Sequence, residues 1–273
     1  MVPRSGLEPP DQTAPPASRE SVLVAIPVHD RPRLVAHCLA TATALVLPPG
    51  SEILVIDDAS TDPAIPALLA GVATRTRQLR RDRSTGAGGA IVDVWTRFLS
   101  GPHQALFCLD SDMIANRTAV VDGLAVLSGF DGLLSLYNST MHPDLGPVSG
   151  PRVAKPRLGN AGTLWTRRLV ELVAAEIPAG PRIDHRYSEL LARRGIPMAA
   201  TTRSRVQHLG IEGSNNRYFG MIDYGIGFVP DSAEQSRALA ETLDLLLGNQ
   251  AYYLRPPLWR RALRRLLRPT GPG

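Results

Sequence analysis

The chain is short of lysine, cysteine and aromatic residues, and each shortage narrows what it can be. Lys155 is the only lysine among 30 basic residues in 273. That skew towards arginine, together with abundant Ala, Gly and Pro, is the bias expected of GC-rich bacterial coding and carries no mechanistic message. Cys38 and Cys108 are the only cysteines. Both sit in apolar runs, where a thiol packs as a small hydrophobe, so a disulfide framework is excluded and a reducing compartment is expected. No apolar run approaches the roughly 18 to 20 residues of a membrane-spanning helix, and the first residues lack the basic-then-apolar plan of a secretory signal. A cytoplasmic protein is expected. The formal net charge is +5, but Arg255, Arg260, Arg261, Arg264, Arg265 and Arg268 fall in a C-terminal stretch that has no acidic residue; without those six charges the body stands at −1. A near-neutral body argues against nucleic acid as a partner, since that would need a basic face or groove with aromatics between the charges.

What is present has a clear organisation. Residues 1–20 are rich in Pro, Ser and charge and read as a disordered leader. From Ser21 to Pro27 an apolar, β-branched run predicts a buried strand, after which Leu34, Val35, Cys38, Leu39 and Ala42 recur at helical spacing. A second strand, Glu52 to Ile56, ends in Asp57-Asp58-Ala59-Ser60-Thr61-Asp62, with Pro63 placed to open a helix. Strand and helix alternating in this way predict an α/β chain: a mostly parallel, Rossmann-like sheet flanked by helices, as a single domain over 21–250. Arg81-Asp82-Arg83-Ser84-Thr85-Gly86-Ala87-Gly88-Gly89 then leads into a helix with Ile91, Val94, Trp95 and Phe98 on its apolar face. Glycines before a helix let backbone approach a phosphate, although a plain flexible loop has the same composition.

Ala105 to Leu109 reads as a buried strand that ends in Asp110-Ser111-Asp112. Ligands of an open α/β sheet bind beyond the carboxyl ends of its strands, and two hard oxygen ligands there suit Mg²⁺ or Mn²⁺ carrying a diphosphate. A solvated turn, or the N-cap of a helix spanning Ile114 to Leu127, satisfies the same pattern. Beyond it come a strand at Asp131 to Tyr137, a long Pro- and Gly-rich loop through Asn160, a strand at Ala161 to Trp165 and a helix at Thr166 to Ala175. Asp184 to Arg194 is a further helix stopped by Gly195, and Thr201 to Gln207 is an extended segment delivering His208. After a loop from Ile211 to Pro230, Asp231 with Glu234 predicts the cap of a last helix, whose buried stripe is Leu239, Leu243, Leu246 and Leu247.

In this order the pieces resemble the family 2 type of nucleotide-sugar glycosyltransferase, a member of the GT-A fold, over roughly Val22 to His208. Ile26-Pro27-Val28-His29-Asp30-Arg31 is similar to the family's first-strand motif, and Ile56-Asp57-Asp58-Ala59-Ser60-Thr61-Asp62 to its nucleotide-holding acidic motif. Leu109-Asp110-Ser111-Asp112 matches its metal-binding Asp-x-Asp. Gly86-Ala87-Gly88-Gly89 is similar to a loop of some of its sugar transferases. The family also carries an acidic pair, a helix ending in Gly and then a His, at spacings that Asp184, Gly195 and His208 reproduce; Ile183 replaces the first acid of the pair.

The resemblance implies a sugar transfer from a UDP-, GDP- or dTDP-linked donor to an acceptor hydroxyl, with inversion. Asp184 would be the general base, with Glu189 in reserve. Asp110, Asp112 and His208 would hold a divalent Mn or Mg ion, and Pro27, Asp30, Asp58, Arg83, Gly86, Gly88, Asp110 and Ser111 would bind the donor. Gly159 to Gly162 would lie near the donor sugar or acceptor. Residues 21–112 would form the nucleotide-sugar half and 113–250 the acceptor half, the acceptor being a saccharide, a lipid-linked saccharide or a natural product. A retaining GT-A transferase and, given Ile183, a non-catalytic nucleotide-sugar-binding module are the alternatives. A nucleotidyltransferase would need a Gly-rich basic loop straight after the first strand, and none is there. In the C-terminal tail, 251–273, the residues Leu258, Trp259, Ala262, Leu263, Leu266 and Leu267 share one helical face with arginines opposite. That pattern suits peripheral contact with an anionic membrane surface through 256–268, or equally a helix docked on protein.

Overall fold

The computed structural model describes residues 20–211 and 223–248. The leader before Glu20, the tail at 251–273 and part of the loop from Ile211 to Pro230 lie outside the described residues. The elements are β1 (Val22–Val28), α1 (Pro32–Ala42), β2 (Glu52–Asp57), α2 (Ala64–Val72), β3 (Arg77–Arg80), α3 (Gly86–Ser100), β4 (Ala105–Cys108), β5 (Met113–Ala115) and α4 (Ala119–Leu127). There follow β6 (Leu133–Ser135), β7 (Pro147–Val148), β8 (Arg152–Ala154), β9 (Thr163–Thr166), α5 (Arg167–Glu176), α6 (Ile183–Arg193), β10 (Met198–Thr201), β11 (Val206–His208) and α7 (Ala233–Gly248).

Among the described residues one large sheet runs in the order β3-β2-β1-β4-β9-β6-β10-β8-β7. Its first four strands are all parallel, as the alternation of strand and helix requires. Beyond β4 antiparallel pairs enter, although β6 and β10 again pair parallel. There β9 pairs antiparallel with both β4 and β6, and β8 pairs antiparallel with β10 and β7, so the sheet is mixed. Chain order reverses between β2-β1 and β4, which places a topological switch point, with its crevice, beyond the carboxyl ends of β1 and β4.

Side-chain alternation explains how the sheet is covered. Val22, Val24, Ile26 and Val28 face one way and pack with Val35, Cys38 and Leu39 of α1, Ile65 and Leu69 of α2 and Val120 and Leu124 of α4. Leu23 and Ala25 face the other way, into a core built with Trp95 and Phe98 of α3, Leu169 and Val173 of α5 and Ile183 and Tyr187 of α6. Both cysteines are buried and free, and burial raises both thiols well above their ordinary value. Pro27 is tolerated in a central strand because the pairing of β1 with β4 stops at Ala25. Two residues on, its missing N–H faces the side where β4 has already turned away.

Several expectations shift. Ile114 does not open a helix: Met113–Ala115 pairs antiparallel with Val206–His208, and α4 starts only at Ala119. Thr201 to Gln207 divides into β10 and β11, and the long loop carries the β7-β8 pair. The polar edge strand β3 has no apolar run to announce it. At α7 the cap moves by one residue. Ser232 Oγ accepts from Gln235 N at 3.3 Å, and Gln235 Oε1 accepts in return from Asp231 N at 2.8 Å. The face of α7 that is buried is Gln235, Ala238, Thr242 and Leu246, while Leu243 is exposed; the side chain of Leu247 lies outside the described residues.

Glu234 serves a tertiary contact instead. His37 of α1 has Glu234 Oε1 at 2.8 Å from Nδ1 and Glu241 Oε2 at 2.8 Å from Nε2, an arrangement both ring nitrogens satisfy only as donors. This buried ring fastens α7 to α1. His37→Ala is expected to weaken the fold by about 1 to 3 kcal/mol, towards the lower end because Glu241 is partly solvated. Hydrogen exchange should accelerate selectively in α7; uniform or unchanged protection would remove the clamp from the account.

Candidate active site

The crevice beyond β1 and β4 is built from three turns. After β1 the backbone takes left-handed geometry at Asp30 (φ 50°) and Arg31 (φ 58°), which swings the Arg31 side chain towards β4. Arg31 Nη1 donates to Asp112 Oδ2 at 2.7 Å, and its Nη2 lies 3.4 Å from Ser111 Oγ. His208 reaches the same carboxylate from β11, with Nε2 at 3.3 Å from Asp112 Oδ2. The register explains the approach: His208 stands opposite Met113, and Leu209 N donates to Asp112 O at 2.8 Å.

The electrostatics follow from burial. Asp112 is buried, which alone would raise its carboxyl, but His208 and Arg31 outweigh this and hold it well below the usual carboxylate range. Asp110 receives less help. Burial and then the Asp112 charge push it up to about 6, opposed by the amide of Asn160, whose Nδ2 donates to Asp110 Oδ1 at 3.1 Å. Burial would lower His208, but Asp112 raises it by more.

The second turn follows β2. Asp30 accepts at Oδ1 from the backbone N–H groups of Thr61 (2.7 Å) and Asp62 (2.8 Å), so its carboxylate staples the β1-α1 turn to the β2-α2 turn. The N–H of Asp62 chiefly lowers its pKa. Asp58, buried, accepts from Arg81 Nη1 (2.7 Å), Ser84 Oγ (2.7 Å), Thr85 N (3.0 Å) and Gly86 N (3.0 Å). It is the anchor of the Gly-rich loop. Burial opposes its charge, and these donors more than offset that.

That loop is the third turn. Arg81 also pairs with Asp93 at 2.8 Å, which locks the loop to the first turns of α3. Arg83 is exposed and makes no hydrogen bond or ion pair among the described residues. Gly86 has φ 68°. Gly88 is required for a different reason: a Cβ there would lie 2.1 Å from Gly180 O, so the start of α3 touches the turn before α6 by backbone alone.

Asp184 lies on the first turn of α6, half-buried, with no hydrogen bond or ion pair among the described residues. Ile183, where the resemblance led us to look for an acid, is buried in the core beside Tyr187 and Trp165. The structure therefore brings Arg31, Ser111, Asp112, His208, Asp110 and Asn160 together. Asp30 and Asp58 hold turns at the rim of this group, and Pro27 is the last residue but one of β1. The sequence does not single out Arg31, although it stands in the first-strand motif, nor Arg81, which holds the Gly-rich loop. It marks the segment of Asn160 without the contact to Asp110.

Asp110, Asp112 and His208 do not close into a metal cluster: among the described residues no three His, Cys, Asp or Glu side chains are gathered around one point. The donor set nevertheless fits a hard divalent ion. Asp112 is buried and Asp110 half-buried, and the like charge of Asp112, which adds to burial in raising Asp110, is one that a cation would offset. A Cβ at Gly210 would lie 2.7 Å from the His208 ring and 2.8 Å from Asp112 Oδ2, so only glycine leaves this corner open.

Gly88→Ala is expected to displace the Gly180 turn and cut turnover by about 10- to 100-fold, with a lowered Tm. Wild-type rate and Tm would mean that the contact positions nothing.

Residues 23–126 match the model of glycosyl transferase family 2. No curated protein matches the chain in sequence. The fold is similar to that of S. aureus TarS 1-349 in complex with UDP-GlcNAc, with a TM-score of 0.52 and 14% identity over 68% of this chain and 57% of that one. TarS 1-349 in complex with UDP gives 0.50 and 13% over 68% and 59%, and the longer S. aureus TarS gives 0.50 and 12% over 68% and 36%. The chain thus spans little more than half the length of the TarS 1-349 structures. Strand order, site geometry and the comparisons agree: residues 23–126 match glycosyl transferase family 2, and the fold as a whole is similar to that of the TarS structures.

Proposed function

We propose that the chain transfers a sugar from a nucleoside-diphosphate donor to an acceptor hydroxyl with inversion at the anomeric carbon. The observation that carries this reading is the meeting of Arg31, Asp112 and His208 at the switch point of a family 2 domain. The donor diphosphate lies against that group, with the exposed Arg83 and the Gly86 and Gly88 loop on its flank. Solved TarS structures in complex with UDP and with UDP-GlcNAc make uridine donors the first to test, ahead of GDP- and dTDP-sugars.

Asp184 takes the acceptor proton. Its carboxylate has no competing partner among the described residues, which is what a base needs when it must accept from a hydroxyl. The acceptor oxygen forms the new bond to the anomeric carbon as the bond to the diphosphate breaks, and the electron pair leaves with the diphosphate. Arg31 stands where the developing negative charge would appear. A divalent Mn or Mg ion held by Asp112 and His208, with Asp110 beside them, would supply further neutralisation of the leaving diphosphate. The acceptor is a saccharide, a lipid-linked saccharide or a natural product. The basic, amphipathic pattern of 256–268 suits contact with an anionic membrane surface.

Asp184→Asn should lower kcat by about 10²- to 10⁴-fold while UDP still shifts the melting temperature as in the native chain. Unchanged kcat would remove Asp184 from the base role. Chelation of divalent ions should abolish transfer and added Mn²⁺ should restore it; full activity in chelator would overturn the proposed roles of Asp112 and His208 at a metal.

A further inference from the structure

The acceptor side of the crevice carries an imbalance of charge that the transfer reaction does not use. Arg157, in the segment after β8, points its Nη1 at His185 Nδ1 across 3.4 Å. Two basic groups thus face one another beside Asp184, and neither has a carboxylate partner among the described residues. The contact is not the accident of a loose loop. Leu158 N donates to Ser188 Oγ at 3.2 Å and Ser188 Oγ donates to Leu158 O at 3.1 Å, so the Arg157 segment is stitched to α6 one turn beyond Asp184.

Its neighbours account for their own charges. Lys155, buried, spends its ammonium on Asp144 Oδ1 at 2.5 Å and on His142 O at 3.0 Å. Asp223 accepts from Ser139 Oγ at 2.7 Å. Burial chiefly lowers the nearby His142 ring, with Arg157 and Lys155 adding to it against the pull of Asp223 and Asp184. The positive charge left over belongs to Arg157, with His185 beside it and exposed Arg182 two residues before Asp184.

We propose that this cluster is an anion subsite of the acceptor, so that the hydroxyl brought to Asp184 belongs to a molecule bearing a phosphate or carboxylate group. A planar guanidinium presents paired donors that match either anion, and an imidazole beside it supplies a further donor. With Arg157 engaged by the acceptor's anionic group, the carboxylate of Asp184 would stay free to take the proton. The inference rests on the transferase reading of the preceding section.

The test is binding to the full-length chain with UDP and Mn²⁺ present, followed by calorimetry with glycerol, glycerate and glycerol 3-phosphate as probes. Glycerol 3-phosphate or glycerate should bind and glycerol should not. Which anion binds more tightly identifies the source, phosphate or carboxylate. Arg157→Gln should weaken the anionic probe at least about tenfold without changing UDP affinity or Tm, and Arg157→Lys should restore part of it. His185→Gln, the second variant, should weaken it by a smaller factor. Anionic probes that bind no better than glycerol, or binding indifferent to Arg157→Gln, would overturn the subsite. Failure of UDP itself to bind would instead strike the transferase reading.

Discussion

A buried carboxylate is unaffordable without a partner, and much of this fold can be read as the provision of partners for Asp112. Leaving such a charge alone in the interior would cost several kcal/mol. Arg31 and His208 prevent that, both at Oδ2 and from distant parts of the chain. Each requires an irregularity. Arg31 needs consecutive left-handed residues before α1, a conformation that costs on the order of 1 kcal/mol per residue without glycine. His208 needs the small β5-β11 ribbon, which interrupts what would otherwise be a helix running directly from the Asp-x-Asp turn.

Asp58 repeats the logic on the nucleotide side. Its donors come from a side chain of β3's far end and from consecutive groups of the Gly-rich loop, so one acid sets the shape of a loop that has little else to hold it. Behind that loop, Trp95, Trp165 and Tyr187 meet edge to face, with ring centroids 5.9, 6.3 and 5.0 Å apart. The three rings come from α3, β9 and α6. Loop and Asp184 helix therefore grow from the same aromatic core, which fixes their separation before any substrate arrives.

The parallel half of the sheet and its acidic turns were legible because each strand there is a continuous apolar run ending in polar residues, as in Val22–Val28 and Ala105–Cys108. His208 was legible through its spacing from Asp184 and Gly195. The ribbon that positions it was not. Met113–Ala115 and Val206–His208 are three residues each, and Met-Ile-Ala continues smoothly into a helical pattern, so only the tertiary pairing decides between strand and helix. Edge strand β3 escaped because Arg-Gln-Leu-Arg lacks both alternation and length. Arg81 and Arg83 differ only in which way the backbone turns, and no periodicity reports that. The cap of α7 went to Ser232 with Gln235 because Glu234 was already committed to His37, a partner nearly two hundred residues away in sequence.

The backbone contact between Gly88 and Gly180 bears on how such chains can diverge. A side chain at an interface can be exchanged for another and repacked, but two glycines meeting carbonyl to Cα have nothing to exchange. The segments on either side of the Asp-x-Asp turn are consequently not interchangeable modules. A recombinant chain that drew its Gly-rich loop from one parent and its Asp184 helix from another would keep the register of both only if the parent supplying the loop already carried glycine at position 88.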